Sequence, residues 1–91
     1  MSIMVRIPTP LRRITNGQDK VEADGDTLNG IIGSLDGKFP GIRERLCDEQ
    51  GDIRNFVNIF VNGEDVRFLD GLGTATKTGD EISIVPAVAG G

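Results

Sequence analysis

The sequence predicts an α+β fold in which a mixed sheet of four to five strands packs against one main helix. Strand-like alternation of apolar residues occurs towards both ends of the chain, and a single helical pattern lies between them. A helix offers one apolar stripe and a half-buried sheet one apolar face, so packing the two together buries both. A length of 91 residues fits one such domain.

Five stretches have the pattern of short strands. Residues 3–7 alternate apolar and other side chains, and residues 56–62 return to the same period of two. A mostly polar stretch at 20–23 is typical of an edge strand that pairs with the first. Asn62-Gly63 predicts a tight reversal. The predicted strands are 3–7, 20–23, 56–62, 64–66 and 81–85.

One helix is predicted in the middle of the chain. Apolar residues recur at helical spacing from Leu28 to Phe39, and residues 24–27 supply side-chain oxygens that can cap the first free amides. Pro40-Gly41 ends this helix, and residues 42–46 add a short helical turn beneath the sheet. Two strands, a helix and then two or three further strands form the β-grasp arrangement. We predict a β-grasp domain at 1–86 and a flexible reactive tail at 87–91.

The composition argues against several classes of protein. The chain has no His, the commonest general base near neutral pH, and a single Cys, so it is a poor candidate for an enzyme and has no Cys and His set for zinc. A net charge of −4 argues against a nucleic-acid binder. No run of about 18 apolar residues predicts a membrane span. The amino terminus lacks the pattern of a secretory signal, so we expect a cytoplasmic protein.

The carboxyl-terminal tail is the candidate reactive site. Pro86 lacks a backbone donor, so the last strand is expected to stop there and the tail to leave the domain. Ala87, Val88 and Ala89 are small and uncharged. Gly90 and Gly91 lose much conformational entropy when held in a fold, but they let the backbone enter a narrow channel in a partner. The sequence therefore predicts that the carboxylate of Gly91 is the reactive group.

A second candidate site is an apolar patch on the outer face of the sheet. Phe60 lies on the strand face opposite the buried positions, so the alternation predicts that it is exposed. If the first and third long strands flank the last one, Met4, Phe60 and Val85 gather into one patch. Exposed apolar clusters often mark docking sites for partners. The alternative is that a loop or the tail covers them.

Other residues have less specific explanations. Cys47 could be imagined as a sulfur relay, but no second residue supports a catalytic role, and we expect a small apolar side chain near the end of a short helix. Arg12-Arg13 suggests contact with phosphate or an acidic surface, or else solvated loop charge. Three carboxylates suggest a cation site, although helix capping and solubility explain them without a metal, and their spacing matches no calcium loop. These carboxylates belong to Asp24, Asp26 and Asp36.

The chain resembles the ubiquitin-like sulfur carriers, the group that includes the thiamin-pathway carrier and the small subunit of molybdopterin synthase. The most specific part is residues 79–91, GDEISIVPAVAGG, which looks like the family's last strand and reactive tail. Within the group, other segments look most like the actinobacterial cysteine-biosynthesis carrier. These segments are Ile7-Pro8-Thr9, Leu11-Arg12, Gly25-Asp26-Thr27-Leu28, Phe56-Val57-Asn58-Ile59, Val61-Asn62 and Glu64-Asp65-Val66-Arg67-Phe68.

The resemblance implies a set of partners. An ATP-using enzyme adenylates the terminal glycine, and a sulfur donor then converts it to a thiocarboxylate. A pyridoxal-phosphate cysteine synthase accepts the sulfur, and a JAB1/MPN-type zinc metalloprotease releases cysteine. The domain itself binds no cofactor, and ATP belongs to the activating partner. Molybdopterin, thiamin or siderophore-type thiocarboxylate synthesis, a ubiquitin-like protein modifier and a plain interaction domain remain alternatives.

Overall fold

The computed structural model describes residues 3–86. Its strands follow the alternation of apolar residues in the sequence, and its main helix follows their helical spacing. The α+β class and the order of the elements are confirmed. The strands are β1 (Ile3–Arg6), β2 (Lys20–Ala23), β3 (Val57–Val61), β4 (Glu64–Asp65) and β5 (Glu81–Pro86). The helices are α1 (Leu28–Lys38) and α2 (Ile42–Leu46).

The five strands form one mixed sheet in the order β2-β1-β5-β3-β4. β1 and β5 run parallel, while the pairs β1 with β2, β3 with β5 and β3 with β4 are antiparallel. The last strand is therefore central and flanked by β1 and β3, as predicted. The edge position predicted for residues 20–23 is also confirmed. β1 pairs with the first half of β5, at residues 81–83, whereas β3 pairs along residues 82–86. The segment that leads into the tail is therefore held by β3.

The core lies between one face of the sheet and the two helices. The inward positions of the strands are buried in the alternating pattern expected for a half-buried sheet. The apolar stripe of α1 packs against them. The main core side chains are Ile3, Val5, Ile7, Leu28, Ile31, Ile32, Leu35, Ile42, Leu46, Val57, Ile59, Ile82 and Ile84.

The start of α1 depends on a cap and on a close backbone contact. Thr27 is the N-cap, and its Oγ1 accepts a hydrogen bond from the Gly30 N–H at 3.2 Å. Gly25 packs directly on the first turn, where an added Cβ would lie 2.7 Å from the backbone carbon of Gly30 and the nitrogen of Ile31. Only glycine fits here, because a Cβ at that distance overlaps backbone atoms.

The predicted reversal at Asn62-Gly63 is confirmed. Both residues have positive φ, 53° and 88°, as a tight hairpin turn requires. The strand that follows is shorter than predicted and ends at Asp65. The carboxylate of Asp65 accepts a hydrogen bond from the Arg67 N–H at 2.9 Å, which turns the chain into a 3-10 helix at Val66–Phe68.

Other strand bounds differ from the prediction by a single residue. β1 ends at Arg6, although Ile7 stays buried and its N–H donates to the carbonyl of Asp19 at 2.8 Å. β3 begins at Val57. β5 continues to Pro86, which pairs with Val57. A proline can take the last position of a strand because its carbonyl still accepts a hydrogen bond.

Candidate functional site

The structure describes the chain up to the base of the predicted tail. Pro86 is the last residue of the central strand and lies opposite Val57 of β3. Ala87, Val88, Ala89, Gly90 and Gly91 lie outside the described residues, and their roles stay predictions. The structure gives the position of Pro86, the residue from which the tail continues.

An apolar groove adjoins the base of the tail on the helix side of the sheet. Its volume is about 360 Å³, and Pro86 forms part of its wall. Pro8, Leu11 and Phe56 supply further apolar surface, and Arg54 lies at the polar part of the lining. The guanidinium of Arg54 is 6.0 Å from the centre of the Phe56 ring. A protein that encloses the residues after Pro86 would meet this concave surface.

The predicted patch on the outer face of the sheet has two separate parts. Phe60 lies opposite Ser83, and Val85 lies opposite Asn58, so Phe60 and Val85 are diagonal neighbours across two strands. Val85 is 44% exposed. Phe60 is half-buried, although the alternation predicted that it is exposed. The reason is that neighbouring strands flank Phe60 on both sides, with Asp65 opposite it on β4.

Met4 lies on the same face but beyond the central strand. It is half-buried and pairs with Glu81 of β5 on one side and Glu22 of β2 on the other. Arg6, two residues along β1, forms an ion pair with Glu81 at 3.2 Å. Charged side chains therefore stand beside Met4, and the apolar pair nearest the base of the tail is Phe60 with Val85.

A buried carboxylate, which the sequence analysis did not single out, holds the start of β5. Asp80 is 6% exposed and accepts hydrogen bonds from Asn62 Nδ2 at 3.0 Å and from the Lys77 N–H at 2.9 Å. Asn62 also accepts from the Glu81 N–H at 3.0 Å. The hydrogen bonds from Asn62 and from the Lys77 backbone hold the pKa of Asp80 below its usual value. This network joins the β3–β4 turn to the beginning of the strand that carries the tail.

The side chain of Arg67 covers the edge of β3 near the carboxyl-terminal end of β5. β4 pairs only with Phe60 and Val61, which leaves the first half of β3 without a neighbouring strand on that side. The guanidinium of Arg67 donates there to the carbonyl of Val57 at 2.7 Å, to the carbonyl of Arg54 at 2.8 Å and to Asn58 Oδ1 at 2.6 Å. Arg67 thus satisfies carbonyls that would otherwise lie at an open sheet edge.

The remaining candidates have structural surroundings. Cys47 is 3% exposed and belongs to the core, and burial raises the pKa of its thiol. Arg12 donates from Nε to the carbonyl of Ile7 at 3.1 Å, and Arg13 is exposed. Asp36 Oδ1 accepts from two main-chain N–H groups at the start of α2. Within residues 3–86, no cluster of three or more potential metal ligands is present.

Across the same described part of the chain, neither helix is long and apolar enough to span a bilayer.

Comparison with known proteins shows where this architecture belongs. The sequence model of the ThiS family matches residues 5–91, which includes the terminal glycines. The chain belongs to the ThiS family. This confirms the predicted resemblance to the ubiquitin-like sulfur carriers, and the solved structures of relatives confirm the β-grasp fold.

Relatives of this ThiS-family chain are similar over most or all of their length. The sulfur carrier protein CysO of Mycobacterium tuberculosis is 53% identical over 93 residues, covering 100% of both chains. A chain in the crystal structure of the BexX/CysO complex of Amycolatopsis orientalis has a TM-score of 0.92 and 46% identity, covering 98% of this chain and 99% of that one. Small archaeal modifier protein 3 of Haloferax volcanii is 40% identical over 68 residues, covering 75% of this chain and 73% of the relative.

Proposed function

We propose that this protein is a sulfur carrier whose terminal carboxylate, on Gly91, is converted to a thiocarboxylate for cysteine biosynthesis. The observation that carries the proposal is the 53% identity over the whole chain to a protein named as a sulfur carrier. A family match that extends to Gly91 supports placing the chemistry at the carboxyl terminus.

The chemistry requires activation by a partner. A carboxylate is a poor electrophile, so an ATP-using enzyme first transfers AMP to the Gly91 carboxylate and releases pyrophosphate. A sulfur donor then attacks the acyl carbon, AMP leaves, and a thiocarboxylate remains. The contribution of this chain is to hold Pro86 opposite Val57 of β3, at the end of the central strand, so that the residues beyond it start from a fixed point.

We place two further partners after activation. On a pyridoxal-phosphate cysteine synthase, the thiocarboxylate sulfur bonds to the side-chain carbon of an activated serine, whose activating group leaves. A JAB1/MPN-type zinc metalloprotease then hydrolyses the bond between the carrier and the new cysteine. The basis is the similarity to CysO together with the absence of His and the single buried Cys in this chain, which leave it few groups for catalysis of its own.

Intact-mass spectrometry tests the proposed function. We expect incubation with ATP, the activating enzyme and a sulfide source to increase the mass by the difference between sulfur and oxygen. A variant that lacks Gly90 and Gly91 is the matched control, because the described domain ends before them. No mass change in the full chain would refute thiocarboxylate formation.

The outer-face pair Phe60 and Val85 is the proposed docking surface for the activating enzyme. Val85 is exposed and lies one residue before Pro86, so an enzyme that binds the tail approaches it directly. We expect Phe60→Ala to slow adenylation of the carrier while the far-ultraviolet circular dichroism spectrum stays that of a folded domain. An adenylation rate equal to that of the wild type would count against this surface.

Protein modification is a second candidate function. The similarity to small archaeal modifier protein 3 favours it, because the same activated carboxylate can react with a lysine amine. Isopeptide-linked species in cell extracts, absent when Gly90 and Gly91 are deleted, would support modification. Sulfur transfer without such species would support the carrier role alone.

A further inference from the structure

Phe68 is the most exposed large apolar side chain in the described range 3–86. It is 87% exposed, and the adjacent Leu69 is 40% exposed. Val66, two residues earlier, is fully buried in the core. Phe68 gives the fold little burial free energy, and part of Leu69 beside it also faces water, so the position of Phe68 calls for an explanation outside the packing of the domain.

The backbone that presents Phe68 is held on both sides. Asp65 caps the preceding turn by accepting from the Arg67 N–H at 2.9 Å, and the Leu69 N–H donates to the carbonyl of Val66 at 2.9 Å. The guanidinium of Arg67 is fixed against β3 by the hydrogen bonds described above. An aromatic side chain on a fixed backbone loses less conformational entropy on binding than one on a free loop.

The charges around Phe68 are mainly negative. Glu64 and Asp70 are exposed, and within residues 3–86 neither forms an ion pair. Arg67 is the basic residue of this segment, but its guanidinium is already occupied by the edge of β3. A complementary surface would therefore be an apolar pocket with Lys or Arg at its rim.

The side chain of Arg67 reaches from this segment to the end of the sheet where the tail begins. Arg67 bonds to the carbonyl of Val57, and Val57 pairs with Pro86. With neighbouring strands about 4.8 Å apart, the Arg67 guanidinium lies within roughly 10 Å of the Pro86 backbone. A protein that receives the residues after Pro86 and covers the Arg67 guanidinium therefore also meets the segment that carries Phe68.

We propose that Phe68 and Leu69 form a docking anchor for the enzyme that activates the carboxyl terminus, which receives them in an apolar pocket with a basic rim. The identity of the partner rests on the proposed function. The anchor is separate from the outer-face pair, because it follows β4 at the edge of the sheet, whereas Phe60 and Val85 lie on the face of β3 and β5.

ATP–pyrophosphate exchange by the activating enzyme, measured against carrier concentration, tests the anchor. We expect Phe68→Ser to raise the KM for the carrier about tenfold or more with kcat nearly unchanged, because truncation of an interface anchor weakens binding before chemistry. Phe68→Leu retains an apolar side chain and is expected to restore most of the affinity. Because Phe68 is 87% exposed, the variants should unfold at the same urea concentration as the wild type.

A pair of charge variants tests the predicted basic rim. We expect Asp70→Lys to raise the KM, whereas Asp24→Lys makes the same charge change at an exposed residue directly after β2, the opposite edge strand of the sheet, and leaves it near the wild-type value. Equal effects of the two variants on the KM would mean that only net charge matters, and would refute the proposed basic rim of the partner's pocket.

The outcomes separate the two proposals. If the wild type supports exchange and Phe68→Ser has the same KM, the anchor is refuted and the proposed function stands. If the wild type supports no exchange, the proposed function fails and this inference fails with it. If light scattering shows that the wild type self-associates and Phe68→Ser abolishes this, the anchor binds a second copy of the chain and the activating-enzyme assignment is wrong.

Discussion

Replacement of Asp80 by Asn tests how strongly the start of β5 is held. The Asp80 side chain is 7% exposed, and its two oxygens accept from Asn62 Nδ2 and from the Lys77 N–H. Asn has a single acceptor oxygen, so in Asp80→Asn one of these donors faces an NH₂ group and loses its partner. A fully buried donor without a partner costs about 1–3 kcal/mol, but Asn62 and Lys77 are exposed residues, so water partly replaces the lost acceptor. We expect the free energy of unfolding at pH 7 to fall by about 1 kcal/mol, the lower end of that range.

Urea unfolding followed by far-ultraviolet circular dichroism measures this change, because the chain has neither Trp nor Tyr for fluorescence. Asp52→Asn is the matched control, since it removes the same charge from an exposed position. We expect the control to stay within about 0.5 kcal/mol of the wild type. A loss in Asp80→Asn no larger than that of the control would refute the reasoning.

The same pair of proteins gives a pH dependence. The pKa of Asp80 is lowered in the fold, so its carboxylate adds stability above the pKa of the unfolded chain, about 3.9. This contribution is lost as the pH falls through the lower folded pKa. The stability difference between wild type and Asp80→Asn is therefore expected to be full at neutral pH and to narrow under acid conditions. A difference that does not change on acidification would show that ionisation is not its source.

Three other predictions concern the scaffold. Arg67→Lys keeps the charge but cannot replace the three hydrogen bonds of the guanidinium, so we expect a loss of about 1–2 kcal/mol in urea unfolding, and no loss would contradict the edge-covering role. Gly25→Ala places a Cβ 2.7 Å from the Gly30 backbone and should lower the free energy of unfolding by about 1–3 kcal/mol. Gly37→Ala has open space around its Cβ and should raise the free energy of unfolding by up to about 1 kcal/mol, so the two variants should shift Tm in opposite directions. The buried thiol of Cys47, with its raised pKa, should react slowly with a thiol reagent in the native state and quickly in urea; equal rates would contradict its burial.

The part of the candidate site after Pro86 rests on the sequence, and the part up to Pro86 is described by the structure. Composition, the proline before the tail and the resemblance of residues 79–91 predict that Gly91 is the reactive terminus, which stays a prediction, and the structure adds the position of the strand that ends at Pro86. The outer-face patch is predicted from the alternation together with the expected order of the strands. The sequence does not predict which of the patch residues are diagonal neighbours, because that depends on the register between β3 and β5.

Local signals determined most of the fold from sequence. The Thr27 cap, the alternation along β1 and the Asn62-Gly63 turn each act over a few residues, so their effect can be predicted without knowing the rest of the chain. The central position of β5 was predictable once the order of the elements indicated a β-grasp arrangement.

Tertiary structure alone decided the residues whose surroundings come from distant parts of the chain. The carboxylate of Asp80 is held by Asn62, 18 residues earlier, and Arg67 is fixed because β4 is too short to cover the start of β3. Phe60 is half-buried and Phe68 almost fully exposed, although both are phenylalanines in short apolar segments. Burial depends on which elements pack beside a residue in space, and no local periodicity contains that information.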